Sequence, residues 1–176
     1  MRSARRQRRG FTLLEMGVVI VVIAVVSVTV VPAWNSLTGT RQAAAAEEVE
    51  RRLISARSLA VSEGHPVGVR IDPSADTVQY YTIASFGAAP AVMNMIDGQP
   101  DPVMYLGKTY PAADITSFTG GAGTGGAQVL WFGFDGTPEL RTAAGALIGG
   151  WTNDALIGFA GGSTITVRKG TGMVVR

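Results

Sequence analysis

The chain has 176 residues, 47% of them hydrophobic, enough for one ordinary globular domain and an anchor segment. It has no Cys and one His, which excludes disulfides, thiolate metal sites, cysteine nucleophiles and a two-His metal centre within one chain. The formal net charge of +2 rests on the amino end: with the five arginines of residues 2–9 set aside, ten basic residues face thirteen acidic ones, a net of −3, so bulk charge makes no case for nucleic acid.

Residues 1–10 are a basic leader, MRSARRQRRG. From Phe11 a largely apolar run follows with Glu15 at its entrance, and from Met16 to Ala33 it holds no charge and only the weakly polar Ser27 and Thr29. About 20 residues of helix span roughly 30 Å, the thickness of a bilayer core. Lipid offers the backbone no partner but itself, so this Val- and Ile-rich stretch is expected to be helical. The arginine block predicts a cytoplasmic amino end and translocation of everything after Pro32.

Three readings of this end compete. RRGF, with Val31-Pro32-Ala33 further on, fits a cleaved secretory signal, although the run is long for one. A plain single-pass anchor fits too, but leaves Gly10 and Glu15 without a purpose. The third is a resemblance: Gly10-Phe11-Thr12-Leu13-Leu14-Glu15, with Pro32 beyond, resembles the processing site of type IV prepilins and type II secretion pseudopilins. The resemblance implies cleavage between Gly10 and Phe11 and N-methylation of Phe11 by a prepilin peptidase/methyltransferase. It implies assembly into a filament with other pilins or pseudopilins, with Glu15 and Pro32 as assembly residues. Glu15 would then meet the freed amine of a neighbouring Phe11, relieving a charge that is costly in an apolar bundle.

After Pro32 the pattern turns amphipathic. Val49, Leu53, Ala56 and Ala60 form a helical stripe, and Gly64 with Pro66 marks its end. One long helix from about Phe11 to Glu63 is expected, with Pro32 and Gly39 as places to bend. The period then drops to two. Val67, Val69 and Ile71 read as a strand, residues 72–76 as a turn, and Val78, Tyr80 and Thr82 as the return. Further strands are expected at about 103–107, 114–119, 128–134, 138–148, 154–160, 163–169 and 172–175, with an irregular loop over 86–102.

The stretches 56–67 and 165–174 resemble the helix end and final strand of the minor pseudopilin H group, which includes FimT-like pilins. The organisation that follows is a leader (1–10), a transmembrane helix (11–33), an amphipathic helix (34–64) and a β-rich head (65–176). The fold class is α+β, a long helix packed on an antiparallel sheet or small sandwich. The resemblance implies a non-enzymatic subunit of the inner membrane, single-pass, with a periplasmic head and no cofactor.

Other motifs carry less. Residues 121–126 spell a formal GxGxxG, but a strand follows where a dinucleotide site needs a helix. His65 reads as a solvent-facing residue. Asp97, Asp101 and Asp154 lack the spacing of a calcium loop, so no metal site is expected. Trp131, Phe132 and Phe134 read as core, and Trp151 as core or contact surface. Arg168, Lys169 and Arg176 make the carboxyl end basic, which suits either a solvated strand edge or, in a FimT-like pilin, contacts to DNA phosphates.

Overall fold

The computed structural model describes residues 12–85, 87–95, 98–119 and 128–176, without the side chains of 29, 31–33 and 35. The chain divides into two units, Met1–Leu37 and Thr38–Arg176. Helix α1, Leu13–Glu63, runs through the boundary, and its helical assignment is continuous past Pro32 and Gly39.

In the first unit α1 stands with its aliphatic side chains bare. Leu13, Leu14, Val18, Ile20, Val21, Ile23, Val25 and Val28 are all exposed. Ser27 satisfies its hydroxyl on the Ile23 carbonyl at 2.7 Å, one turn back, so it adds no unpaired polar group to the apolar face. Among the described residues no helix is long and apolar enough to cross a membrane.

In the second unit the helix has one buried side. Ala45, Ala46, Val49, Leu53, Ala56 and Ala60 are fully buried, at the spacing of the expected stripe. Four of the six are Ala, which lets the helix backbone approach the sheets closely. The helix ends where Gly64 turns left-handed (φ 69°) and its N–H bonds the Ala60 carbonyl.

Strands follow in chain order: β1 Val67–Asp72, β2 Thr77–Thr82, β3 Ala91–Val92 and β4 Met104–Tyr105, then a helical turn, α2 Leu106–Thr109. The rest are β5 Ile115–Thr119, β6 Gln128–Phe132, β7 Pro138–Arg141, β8 Leu147–Gly150, β9 Ala155–Phe159, β10 Thr164–Val167 and β11 Val174–Val175. One sheet has the order β3-β2-β1-β6-β7-β8, with β4 also on β2; the other has the order β11-β10-β9-β5. All pairings are antiparallel among these named strands.

The β1–β2 hairpin is set by its turn. Asp72 Oδ1 accepts bonds from the Ser74 N–H (3.0 Å), the Ser74 hydroxyl (2.6 Å) and the Ala75 N–H (3.3 Å). These bonds hold the Asp72 carboxyl below the usual carboxylate range, the Ser74 hydroxyl first. Val67, Val69 and Ile71 then share a face with Leu130 and Phe132 of β6, and all five are buried. Ile115, Phe118, Ile157, Phe159, Ile165 and Val167 of the second sheet join the same core as the helix stripe.

Four expectations need correction. The strand expected over 138–148 is a hairpin, β7 and β8, because Gly145 (φ 87°) reverses the chain between them. The strand at 103–107 stops after Tyr105, where α2 begins. The loop 86–102 contains the short β3, which pairs with β2. Phe134 is not core: it sits 65% exposed in the β6–β7 turn, Gly133–Thr137, with a polar backbone around it. Trp131, Phe132 and Trp151 are buried.

Candidate functional site

Gly10, Phe11, Asp97 and the 121–126 glycine run lie outside the described residues, as does the side chain of Pro32. The amino end of α1 begins at Thr12 and Glu15, and these two bond reciprocally. The Glu15 carboxylate accepts the Thr12 backbone N–H at 2.8 Å and the Thr12 hydroxyl donates to it at 3.0 Å. The Thr12 hydroxyl in turn accepts the Glu15 N–H at 3.2 Å. This is a capping box, Thr at the N-cap and Glu three residues on, which satisfies two of the free N–H groups at a helix start. The T-x-x-E spacing is legible in the sequence, yet sequence reasoning treated Glu15 only as a charge. Glu15 therefore has a local function within its own chain.

At the carboxyl end one basic side chain is ion-paired and two donate to backbone carbonyls. Arg168 bonds Asp154 at 2.8 Å, and the Lys169 N–H bonds the same carboxylate at 2.9 Å. The Lys169 ammonium donates to the Thr152 carbonyl (2.8 Å), and Arg176 donates to the Ala43 carbonyl (3.3 Å). The Lys169 N–H, then the Arg168 guanidinium, hold the Asp154 carboxyl below its ordinary range. All three candidate phosphate-binding side chains are thus engaged within the chain.

His65 is not a free surface residue. Its Nε2 lies 2.9 Å from Glu63 and its Nδ1 lies 3.1 Å from the Thr82 hydroxyl. It lines a cavity of about 710 Å³ with Ile83, Phe134, Arg141 and Leu147.

Asp101 is the buried charged residue of the head, 2% exposed among the described residues. It accepts the Tyr80 N–H at 2.9 Å and pairs with Arg52 of α1 at 3.4 Å. Arg52 lies over the Tyr80 ring (5.2 Å to its centre), and the Tyr80 hydroxyl donates to the Arg52 carbonyl at 3.2 Å. Burial pushes the Tyr80 phenol up. The cluster ties the loop before β4 to both β2 and α1. Sequence reasoning weighed Asp101 only as a cation ligand. Its true partner is 49 residues away, and no local pattern marks it.

Comparison with known proteins divides along the chain. Residues 5–31 match the model of the prokaryotic N-terminal methylation motif. The fold matches the minor pseudopilin EpsH from the type 2 secretion system of Vibrio cholerae, with a TM-score of 0.50 and 14% identity, over 77% of this chain and 94% of that one. No curated protein matches the sequence. The chain thus joins an N-terminal methylation motif over residues 5–31 to an α+β head with the fold of a minor pseudopilin.

Proposed function

We propose that this chain is a minor pseudopilin, a structural subunit of an envelope-spanning type II secretion filament. In this reading the peptidase cuts between Gly10 and Phe11 and methylates Phe11. The stretch 11–33 anchors the subunit in the inner membrane with its amino end cytoplasmic, and the head lies in the periplasm. The observation that carries the reading is the methylation motif over residues 5–31 at the start of the helix that continues into a pseudopilin-like head. The bare aliphatic side chains from Leu13 to Val28 support the anchor, since leaving such a surface in water is unfavourable by about 25 cal/mol per Å².

Within a filament Glu15 pairs with the methylated amine of a neighbouring Phe11. That pairing removes a charge which, left buried alone, costs on the order of 3–5 kcal/mol. The capping box places the Glu15 carboxylate at the helix start, where an incoming amine could reach it. The alternative, a FimT-like pilin that binds DNA, is not favoured, because Arg168, Lys169 and Arg176 are bonded within the chain. Intact-mass spectrometry of the membrane form tests the proposal. The expected product lacks residues 1–10 and carries one methyl group on Phe11. An intact leader, or a cut near Ala33, would overturn it.

A further inference from the structure

Helix α1 enters the head at residues 41–43, and three separate segments of the head close on it there. Gln42 donates to the Ala112 carbonyl at 3.2 Å. Its Oε1 fills the space that a side chain at Gly161 would need, and Gly161 is left-handed (φ 87°). Arg176 donates to the Ala43 carbonyl at 3.3 Å. The first two segments are also joined to each other, because the Ala160 N–H bonds the Asp114 carbonyl at 2.9 Å. Together they make a rim around the helix. Pro111, Ala112, Gly161 and Gly162 are exposed on it, and none has a long side chain. The charged side chains of residues 41–43, 110–114, 160–163 and 175–176 are Arg41, Asp114 and Arg176.

Arg41 differs from the other arginines that α1 carries into this unit. Arg51 and Arg52 pair with carboxylates, and Arg57 donates to the Gly136 carbonyl at 3.1 Å. Arg41 is half-buried and makes no hydrogen bond or ion pair among the described residues. Arg176 gives an N–H to a carbonyl, which leaves its charge in place. A partly desolvated cation of this kind is costly unless an anion reaches it from outside. The place of Arg41 in the chain says which anion. It stands eight residues past Ala33, where the uncharged run ends, or about 12 Å of helix. The headgroup layer adds about 5–8 Å to each side of a bilayer core. A helical side chain leans toward the amino end of its helix, here toward Ala33, and the long arginine stem closes the remaining gap.

We propose that this rim rests on the surface of an anionic lipid bilayer, with Arg41 and Arg176 on lipid phosphates and the small residues of the 110–114 and 160–163 segments against the headgroups. The proposal rests on the anchor part of the reading above and is independent of filament assembly. Two guanidinium side chains against one carboxylate give the rim its preference for negative charge. Attraction to an anionic surface is worth about fivefold per basic residue and weakens with salt. The absence of long side chains lets the rim lie close to the surface without burying further charge.

The chain has no Cys, so one introduced cysteine can carry a fluorophore at a single place. The full chain is reconstituted into phosphatidylcholine vesicles, with or without phosphatidylglycerol, that contain a lipid spin-labelled at its headgroup as quencher. Pro111→Cys puts the fluorophore on the rim. Phe134→Cys is the control: its turn is tied to α1 through Gly136 and Arg57, sixteen residues past Arg41, or about 24 Å farther along the helix. The expected result is quenching at 111 well above that at 134, and stronger with phosphatidylglycerol. Arg41→Gln should lower the ratio of quenched to free rim about fivefold on the anionic vesicles, and Arg41→Lys should restore most of it. Neither change should move the melting curve, since Arg41 has no bond to lose. Equal quenching at the two positions, no quenching at 111, or quenching at 111 that ignores phosphatidylglycerol or Arg41→Gln would overturn the proposal. Flotation of the same vesicles reads the anchor separately. A chain that fails to float overturns both readings, whereas a chain that floats with an unquenched rim overturns this one alone.

Discussion

Helix α1 is one element with two kinds of surface. From Leu13 to Val28 its large aliphatic side chains are exposed on every side, and from Ala45 to Ala60 the apolar residues are gathered on one buried side. Both halves are helical, but for different reasons. The second half is held by its stripe against two sheets. The first half, among the described residues, has an apolar surface all round, which marks a helix that expects an apolar surrounding. A hydrophobic residue therefore reports on its solvent as well as on its core, and substitutions in the two halves should fail in different assays.

The largest effect belongs to the buried half. Leu53 is fully enclosed, so Leu53→Ala should cost about 2–5 kcal/mol of head stability. Denaturant unfolding of the detergent-solubilised chain would measure it, and Val21→Ala in the same assay should leave the head transition where it is. The reverse contrast comes from Val21→Lys, which should weaken membrane retention by about 2.5–3.5 kcal/mol. Carbonate extraction reads that loss, while head unfolding stays unchanged. If Val21→Lys instead unfolded the head, the division of labour along α1 would be wrong.

A smaller effect is expected at the polar cluster. Asp101→Ala removes the acceptor of the Tyr80 N–H and the partner of Arg52, and should cost about 1.5–3 kcal/mol. Amide exchange should then show faster opening along β2. Asp101→Asn, which keeps an acceptor, should recover part of the loss.

The smallest effect is a pH dependence. Asp72, Asp135 and Asp154 all have carboxyls held below their ordinary range, Asp135 chiefly by the Thr137 hydroxyl. A carboxylate with a depressed folded-state pKa binds its proton more readily in the unfolded chain. Its contribution is thus present at neutral pH and is lost as pH falls below about 4, through the folded value. The melting temperature should drop from pH 7 to pH 3. Asp154→Asn should reduce the steepness of that drop slightly, because one of the three groups no longer titrates.

Much of this was legible in the sequence because the signals were local. The stripe Val49, Leu53, Ala56 and Ala60 recurs at helical spacing, and Gly64 with Pro66 stops it, so the buried side and its end could be read directly. Alternation in Val67, Val69 and Ile71 marks β1 for the same reason. What escaped was set by chain direction or by distance. Phe134 is as apolar as Phe132, but it lies between Gly133 and the Asp135-Gly136 pair, in a turn that carries it away from the sheet. The Thr142–Gly145 reversal is written in Ala and Gly, which read equally as a weak strand. Asp101 and Arg52 meet only because the sheet brings them together. The Thr12–Glu15 box was written in the chain and was overshadowed by the question of charge.

That box now sharpens the most direct test of the account. Glu15 has two roles to separate: it caps its own helix by accepting the Thr12 N–H, and in the proposed filament it neutralises a neighbour's amine. Glu15→Gln keeps a side-chain acceptor at the same position and removes the charge; Thr12→Ala weakens the box and keeps the charge. The measurement is co-purification of each cleaved variant with filament subunits from membranes. The account predicts that Glu15→Gln is inserted and cut after Gly10, yet loses incorporation by about two orders of magnitude, as expected for a buried amine without its counter-charge. Thr12→Ala should incorporate nearly as well as the parent. Incorporation of Glu15→Gln at the parent's level would contradict it, and would leave Glu15 as a helix cap alone.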